Sequence, residues 1–540
     1  MKEFLKKNRD LLYFILAISA SLIFFASPLP ENLEVGEKLI MLSHQGRITM
    51  ALLVFAVVLW VTEAVPFAVT SLLVMILMPL LGATEGLLVA KDNTMVEIHG
   101  AAAGLREMIK MGFGNRLILF FLGVFLLSGA FIKSGLGDRL TLILLRVFGT
   151  RTKMIILGFL FMGAALSMWI TDMAVAALLV PLALSILEGS NIKPLRSNPR
   201  KNNATQLKKP LFENSQDQDD KEGMALYGTN FGKALMIACC WGAVFGGIGT
   251  PAGCGPNPIA IEYLKNLAGI RISFLEWMKI GVPLSFILVP FGWLVLITIF
   301  PQKIKRLPIE RKEIRKKLKE IGPLRKNEAT TLIVFLSVIT LWVFGDFITK
   351  ISGGSIVLSM ELVALLGGLF FFFPGIRIFS WDEAEPLMNW GAIVLVMASL
   401  ALGLMMYETG AARWLAWLLL GKIQIFPSLV QIALVVAVVL FMKIFLASNT
   451  VTGIIVIPLL ITLAADLGVD PWFLVAPAAF TSSLGVILLT QSPTNIIPFS
   501  PGYFTVRDFA VSGIALTFIM IIVLTAVISI IGPLMGAYNF

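Results

Sequence analysis

The chain has 540 residues, of which 57% are hydrophobic and only 14% charged, with a mean hydropathy of +0.89. A soluble domain is about 45–50% apolar and about 25% charged, so composition excludes an ordinary soluble protein and points to a chain crossing the membrane many times. The net charge of +10 is not a nucleic-acid signal, because it concentrates in loops.

Spans of about 20 apolar residues are predicted to start near Leu11, Ile48, Phe67, Leu117, Met154, Ala234, Ile280, Thr330, Ile356, Ala392, Leu429, Val451, Trp472 and Ala510. The first follows Lys6, Lys7 and Arg9, lacks a clear small-residue cleavage site, and reads as an uncleaved helix. Several later segments are short or carry Gly, Pro and polar residues, which predicts re-entrant or broken helices. From Pro301 to Glu328 there are 11 Lys/Arg and 4 Asp/Glu, a balance of +7. The positive-inside rule puts this loop and the basic N-terminus in the cytoplasm. The polar tract from Ser190 to about Gly228 reads as a disordered cytoplasmic loop. Cys239, Cys240 and Cys254 have no metal-like spacing, and the two histidines, His44 and His99, read as isolated loop residues.

The two halves share anchors. Trp60 matches Trp342 at an offset of 282, Asn115 matches Asn389 at 274, and Gly135 matches Gly410 at 275. Thr171-Asp172-Met173 matches Ser448-Asn449-Thr450 at 277, and each triplet is followed by a proline 10 positions after its first residue. Asn257 matches Asn495 at 238, the shorter offset reflecting the polar tract in the first half. Paired halves with interruptions at matching depths predict a secondary transporter. In that design substrate and coupling ions bind near the midplane, between repeats of inverted topology. The expected organisation is an N-terminal helix and loop (1–47), a first repeat (48–300), a basic linker (301–328) and a second repeat (329–540). The fold class is all-α, polytopic, with re-entrant hairpins and broken helices.

Three motifs carry a family resemblance. Trp60-Val61-Thr62-Glu63-Ala64-Val65-Pro66, the segment Gly246 to Asn257, and Ser448-Asn449-Thr450 together resemble the divalent anion/sodium symporters of di- and tricarboxylates and sulfate. The resemblance runs from about residue 48 to the end. It implies an elevator-type homodimer in the cytoplasmic membrane, in contact with lipid, coupled to sodium and without a resident cofactor. It implies cation contacts at Ser167, Thr171, Asp172 and Gly253 in one half and at Ser448, Asn449, Gln491 and Ser492 in the other. The anion would touch Met173, Cys254, Asn449, Thr450, Ser492 and Pro493.

The first half-site departs from the family pattern. Met173 and Cys254 stand where hydroxyls are expected, and Asp172 stands where an amide is expected. An Asp at a helix centre costs roughly 2.5–3.5 kcal/mol on insertion scales. Three roles are open for Asp172: an ionised cation ligand, a protonated group in proton-linked transport, or a cap of the helix that follows. Sodium-independent or proton-coupled exchange is therefore the alternative to sodium symport. Glu63 is expected to pair with a polar neighbour. Lys443 and Glu408 are expected at membrane interfaces, with Lys443 snorkelling. Phe370–Phe373 is expected to pack against lipid or scaffold. No nucleophile–base pair or metal-ligand set suggests an enzyme, and matched re-entrant segments speak against a channel.

Overall fold

The computed structural model describes residues 2–28, 32–35, 38–91, 94–149, 151–187, 229–302, 305–306, 322–446 and 448–534. The polar tract and most of the basic linker lie outside the described residues. Among the described residues, 9 helices are long and apolar enough to cross a membrane. They include His44–Thr62, Leu117–Ser134, Phe274–Ile299, Lys326–Ile351, Trp390–Glu408 and Val506–Leu534. The expected spans fall on helices, the one near Ile356 beginning later, at Met360. Among the helices with no expected start are Ala101–Met111, Leu136–Phe148 and Ala411–Leu420. The first two alternate polar and apolar faces, and the third has only 10 residues, so a search for long apolar runs passes over them.

The described residues are mostly helical, in line with the all-α expectation, and carry two short antiparallel hairpins besides. β1 (Asn32–Val35) pairs with β2 (Lys38–Met41), and β3 (Leu88–Lys91) pairs with β4 (Thr94–Glu97). Both lie between helices rather than within the helical body. His99 follows β4 and is not isolated: its ring nitrogens lie 3.3 Å from Glu85 and 3.3 Å from Glu97. His44 is the first residue of a helix, not a loop residue. Glu63 is also corrected. It is exposed beyond the end of its helix at φ 51°, a left-handed conformation that stops the helix before Pro66. Glu408 is exposed at the end of its helix. In the phenylalanine run, Phe370 and Phe373 are exposed while Phe371 is fully buried.

The matched anchors perform matched jobs. Asn115 Oδ1 accepts the Leu117 N–H at 3.0 Å, and Asn389 Oδ1 accepts the Ala392 N–H at 3.0 Å, each at the start of a long helix. Gly135 and Gly410 end the same two helices, at φ 81° and 74°. Trp60 Nε1 donates to the Phe67 carbonyl and Trp342 Nε1 to the Met360 carbonyl, in each case the first residue of the next helix.

The most exact match lies deepest. Asn257 Nδ2 donates to the carbonyls of Gly247 (2.7 Å) and Thr250 (2.8 Å). Asn495 Nδ2 donates to those of Gly485 (2.9 Å) and Leu488 (3.0 Å). Both asparagines reach back 10 and 7 positions, so all three positions keep the offset of 238. The reason is local. Each segment leaves helical geometry inside the apolar body, at 248–255 and 483–492, where water cannot satisfy the released carbonyls. One carboxamide closes each break.

Small residues bring these segments together. A Cβ on Gly163 would lie 2.6 Å from Gly242, and one on Gly246 would lie 2.3 Å from the Ala164 carbonyl. The helices Thr152–Ser167 and Asn230–Gly247 therefore touch backbone to backbone. Two buried glutamates are paired with arginines: Arg139 Nη2 lies 2.8 Å from Glu328, and Arg116 Nε lies 3.0 Å from Glu361.

Removing either carboxamide should cost about 1–3 kcal/mol for each carbonyl left unpaired. Asn257→Ala and Asn495→Ala are expected to lower the thermal unfolding midpoint in detergent by similar amounts. An unchanged midpoint in either variant would show that its clamp does not hold the break.

Candidate functional site

The first half-site forms where two helices, Thr152–Ser167 and Asp172–Leu187, meet at a short non-helical tip. Each has 16 residues and so spans roughly 24 Å at 1.5 Å per residue, less than a hydrocarbon core of about 30 Å. The tip is pinned from the opposing break. Thr250 Oγ1 donates to the Met168 carbonyl, and the Asp172 N–H donates to the Gly253 carbonyl at 3.3 Å. Asp172 is half-buried and divides its two oxygens. Oδ1 accepts the Met173 N–H at 2.8 Å, which is a capping contact; Oδ2 accepts the Cys254 thiol at 3.7 Å.

Oxygen atoms converge beside it. Ser167 Oγ is buried and has no hydrogen-bond partner among the described residues. A Cβ on Gly253 would sit 2.6 Å from the Gly247 carbonyl oxygen and 2.7 Å from that of Ser167, so only glycine leaves this space open. An orphan hydroxyl, two carbonyls and a nearby carboxylate form a donor set suited to a small hard cation. Unwound carbonyls at the midplane are where transporters hold sodium. Thr171 is half-buried beside the tip, its carbonyl capping the new helix through Val175 N–H at 3.1 Å.

The second half-site forms between Ser428–Phe445 and Asn449–Leu467. Ser448 is extended at φ −150° and its hydroxyl accepts the Val451 N–H at 3.4 Å, an N-cap. Asn449 is only 7% exposed. Its Nδ2 donates to the Ser483 carbonyl at 3.3 Å and to Cys254 Sγ at 3.6 Å. Its Oδ1 accepts from Lys443 Nζ at 2.5 Å. Lys443 is 0% exposed and also donates to the Ser482 carbonyl at 2.6 Å. The expectation that Lys443 snorkels to an interface is thus corrected: its ammonium finds amide and carbonyl oxygens at the tip and turns inward. A basic residue six positions before Asn449 in an apolar span was the available signal, since intramembrane charges are functional by default.

Gln491 is spent on backbone. Its Oε1 accepts the N–H groups of Ile487 (2.8 Å) and Leu488 (3.0 Å), and its Nε2 donates to the Lys443 carbonyl (3.0 Å). Ser492 is buried and caps the short helix Pro493–Phe499 by accepting the Thr494 N–H at 3.3 Å. Pro493 is exposed at the start of that helix.

The two half-sites are joined. Asp172, Cys254, Asn449 and Lys443 form one continuous line of contacts from a carboxylate to an ammonium. Thr450 Oγ1 lies where a Cβ on Gly255 would be only 2.7 Å away, so the second tip rests on the first break. The breaks hold each other too. Ser483 Oγ donates to Asn257 Oδ1 at 2.9 Å, and Cys240 Sγ donates to Asn495 Oδ1 at 2.8 Å. Of the residues expected around an anion, Cys254, Asn449 and Thr450 are thereby brought together, and Met173 is half-buried beside Asp172. Cys254 is more than a small lining residue, because its sulfur bridges the halves.

Comparisons with known proteins agree with this architecture. The family described as sodium:sulfate symporter transmembrane region matches residues 8–537. A sodium-dependent dicarboxylate transporter, SdcS, of Staphylococcus saprophyticus is 29% identical over 508 residues, covering 91% of this chain and 87% of that protein. The protein of that name from Staphylococcus aureus (strain USA300) is 27% identical over the same length and coverage. Among solved structures, the Alcanivorax borkumensis YdaH transporter superposes with a TM-score of 0.52 at 13% identity, over 89% of this chain and 98% of that one. Neisseria gonorrhoeae MtrF gives 0.52 at 12% identity, over 86% and 94%. At such identities these two structures speak to the fold alone. With its apolar helices and a family match over nearly its whole length, this is a multi-pass membrane protein, and the chain belongs to the sodium:sulfate symporter transmembrane family, the divalent anion/sodium symporters that its three motifs resemble.

Proposed function

We propose that the protein is a secondary active transporter that moves a divalent anion, a dicarboxylate such as succinate or else sulfate, across the cytoplasmic membrane coupled to sodium. The observation that carries this reading is the oxygen cluster of Ser167, Gly247 and Asp172 around Gly253, where the first tip meets the first break. The names of the staphylococcal relatives support sodium and a dicarboxylate. The anion binds where the two tips meet, against Asn449, Thr450, Cys254 and Ser492, with N–H groups of the two tip helices facing it. Thr171, Asp172, Ser167 and Gly253 hold the cation of the first half. The anion and cation screen each other, so each binds better when the other is present. That mutual preference is coupling in its thermodynamic sense.

The transport step is an elevator movement. The tips and breaks are cross-bonded by Ser483–Asn257, Cys240–Asn495 and Asn449–Cys254, which suits a block that moves as one body. The outer helices then act as scaffold of a homodimer, and the basic N-terminus faces the cytoplasm. Two further features are part of this reading: inverted topology of the repeats and a boundary between them at the basic linker.

Uptake of labelled succinate and of sulfate into proteoliposomes tests the reading. An inward sodium gradient is expected to raise uptake of one of them several-fold, whereas a proton or counter-anion gradient is not. Stimulation only by protons or by internal anion would instead establish the exchanger alternative, for which the carboxyl at Asp172 is the specific motive. Asp172→Asn separates its roles. As a cation ligand, its loss should raise the sodium concentration for half-maximal uptake about tenfold or more, equivalent to about 1.4 kcal/mol. Unchanged sodium and pH profiles would leave it only the capping contact with Met173.

A further inference from the structure

We propose that Lys443 is a built-in cation of the second half-site. Its ammonium stands where a coupling ion would otherwise sit, so sodium enters only at the first half-site. The inference rests on the sodium-coupled reading above and specifies which half carries the ion.

Matched positions in the two halves differ. In the first half, an unpaired hydroxyl and two carbonyls converge around Gly253. In the second half, the corresponding space is filled. Gly485 matches Gly247 at the offset of 238; a Cβ on Gly485 would lie 3.3 Å from Asn449 Oδ1 and 3.4 Å from Lys443 Nζ, whereas one on Gly247 would lie 3.7 Å from Asp172 Cβ. One glycine faces an ammonium, the other the Cβ atoms of Cys254 and Asp172. Lys443 Nζ takes Asn449 Oδ1 at 2.5 Å and the Ser482 carbonyl at 2.6 Å, oxygens of the type a sodium ion would use. A mobile ion and this ammonium cannot share those oxygens.

The position is also unusual along the chain. Subtracting the tip offset of 277 from 443 gives Leu166, an apolar residue, so the lysine belongs to the second half alone. Its placement is rigid. Gln491 Nε2 holds the Lys443 carbonyl at 3.0 Å while its Oε1 holds the break, so backbone and side chain of Lys443 are both fixed. Charge accounting gives the consequence. A bound dianion and an ionised Asp172 together bring three negative charges, and Lys443 offsets one of them with a charge that travels with the protein. One fewer sodium ion is then needed for each anion than in a site without the lysine.

The test is a sodium titration of the purified full-length protein with succinate or sulfate present, read by thermal shift, since ligands that bind the folded state raise the unfolding midpoint. Lys443→Leu restores the residue of the matched position. It is expected to keep anion-dependent stabilisation at high sodium while its Hill coefficient for sodium rises by about one. The reversal potential in proteoliposomes should show one more positive charge moved per anion. An unchanged Hill coefficient with unchanged anion stabilisation would overturn the inference, and so would loss of anion stabilisation at saturating sodium in a folded variant, which would make Lys443 an anion ligand. Lys443→Arg keeps the charge and should keep the wild-type coefficient. Should neither variant fold, the wild type decides: its sodium Hill coefficient is expected near one, and a coefficient near two would mean a second sodium site exists. A wild type insensitive to sodium would instead defeat the sodium-coupled reading itself.

Discussion

A carboxylate and an ammonium, each placed inside an apolar body, constrain everything around them. Either one alone is expensive there. Here they terminate one line of contacts, Asp172–Cys254–Asn449–Lys443, that runs from one half of the chain to the other. The charges do not touch. They are separated by a thiol and an amide, so neither charge neutralises the other directly. That spacing distinguishes a binding site from a buried salt bridge, in which the charges would satisfy each other and leave nothing for a ligand.

The surrounding structure follows from holding that line in place. Non-helical backbone must supply the tips, and non-helical backbone at this depth must have its polar groups satisfied within the protein. Asn257 and Asn495 do so with identical spacing, and each gives its remaining oxygen to a donor near the opposite break. Glycines at 163, 242 and 246 let the supporting helices approach closely enough to fix these positions. Sequence repetition thus serves two matching backbone problems, while the departures from repetition, Asp172 against Asn449 and Lys443 against Leu166, place the acid and the base.

Much of this is legible in the sequence, for physical reasons. Apolar span length reveals most long helices, and the repeat exposes Asn257, Asn495 and both tips because the same backbone breaks need the same side chains. The short amphipathic helices and the two β-hairpins escape, since neither has a long apolar run. Glu63 misleads because its helix stops one residue before it. Lys443 misleads more seriously. A lysine two residues from the end of an apolar helix has the spacing of a snorkelling residue, and only the fold reveals that its ammonium meets the tip oxygens instead. Gln491 looks like a ligand in sequence, whereas its carboxamide is fully engaged with backbone.

The central claim is that Asp172 and Lys443 act on one shared site. A double-mutant cycle measures this directly: succinate- and sodium-binding free energies for wild type, Asp172→Asn, Lys443→Leu and the double variant. Residues joined through one network show coupling of roughly 0.5–3 kcal/mol, whereas independent sites add to within about 0.3–0.5 kcal/mol. The account predicts coupling in the first range, with the double variant binding better than the sum of the two losses. Simple additivity would contradict it, and would mean that the two charges serve separate sites.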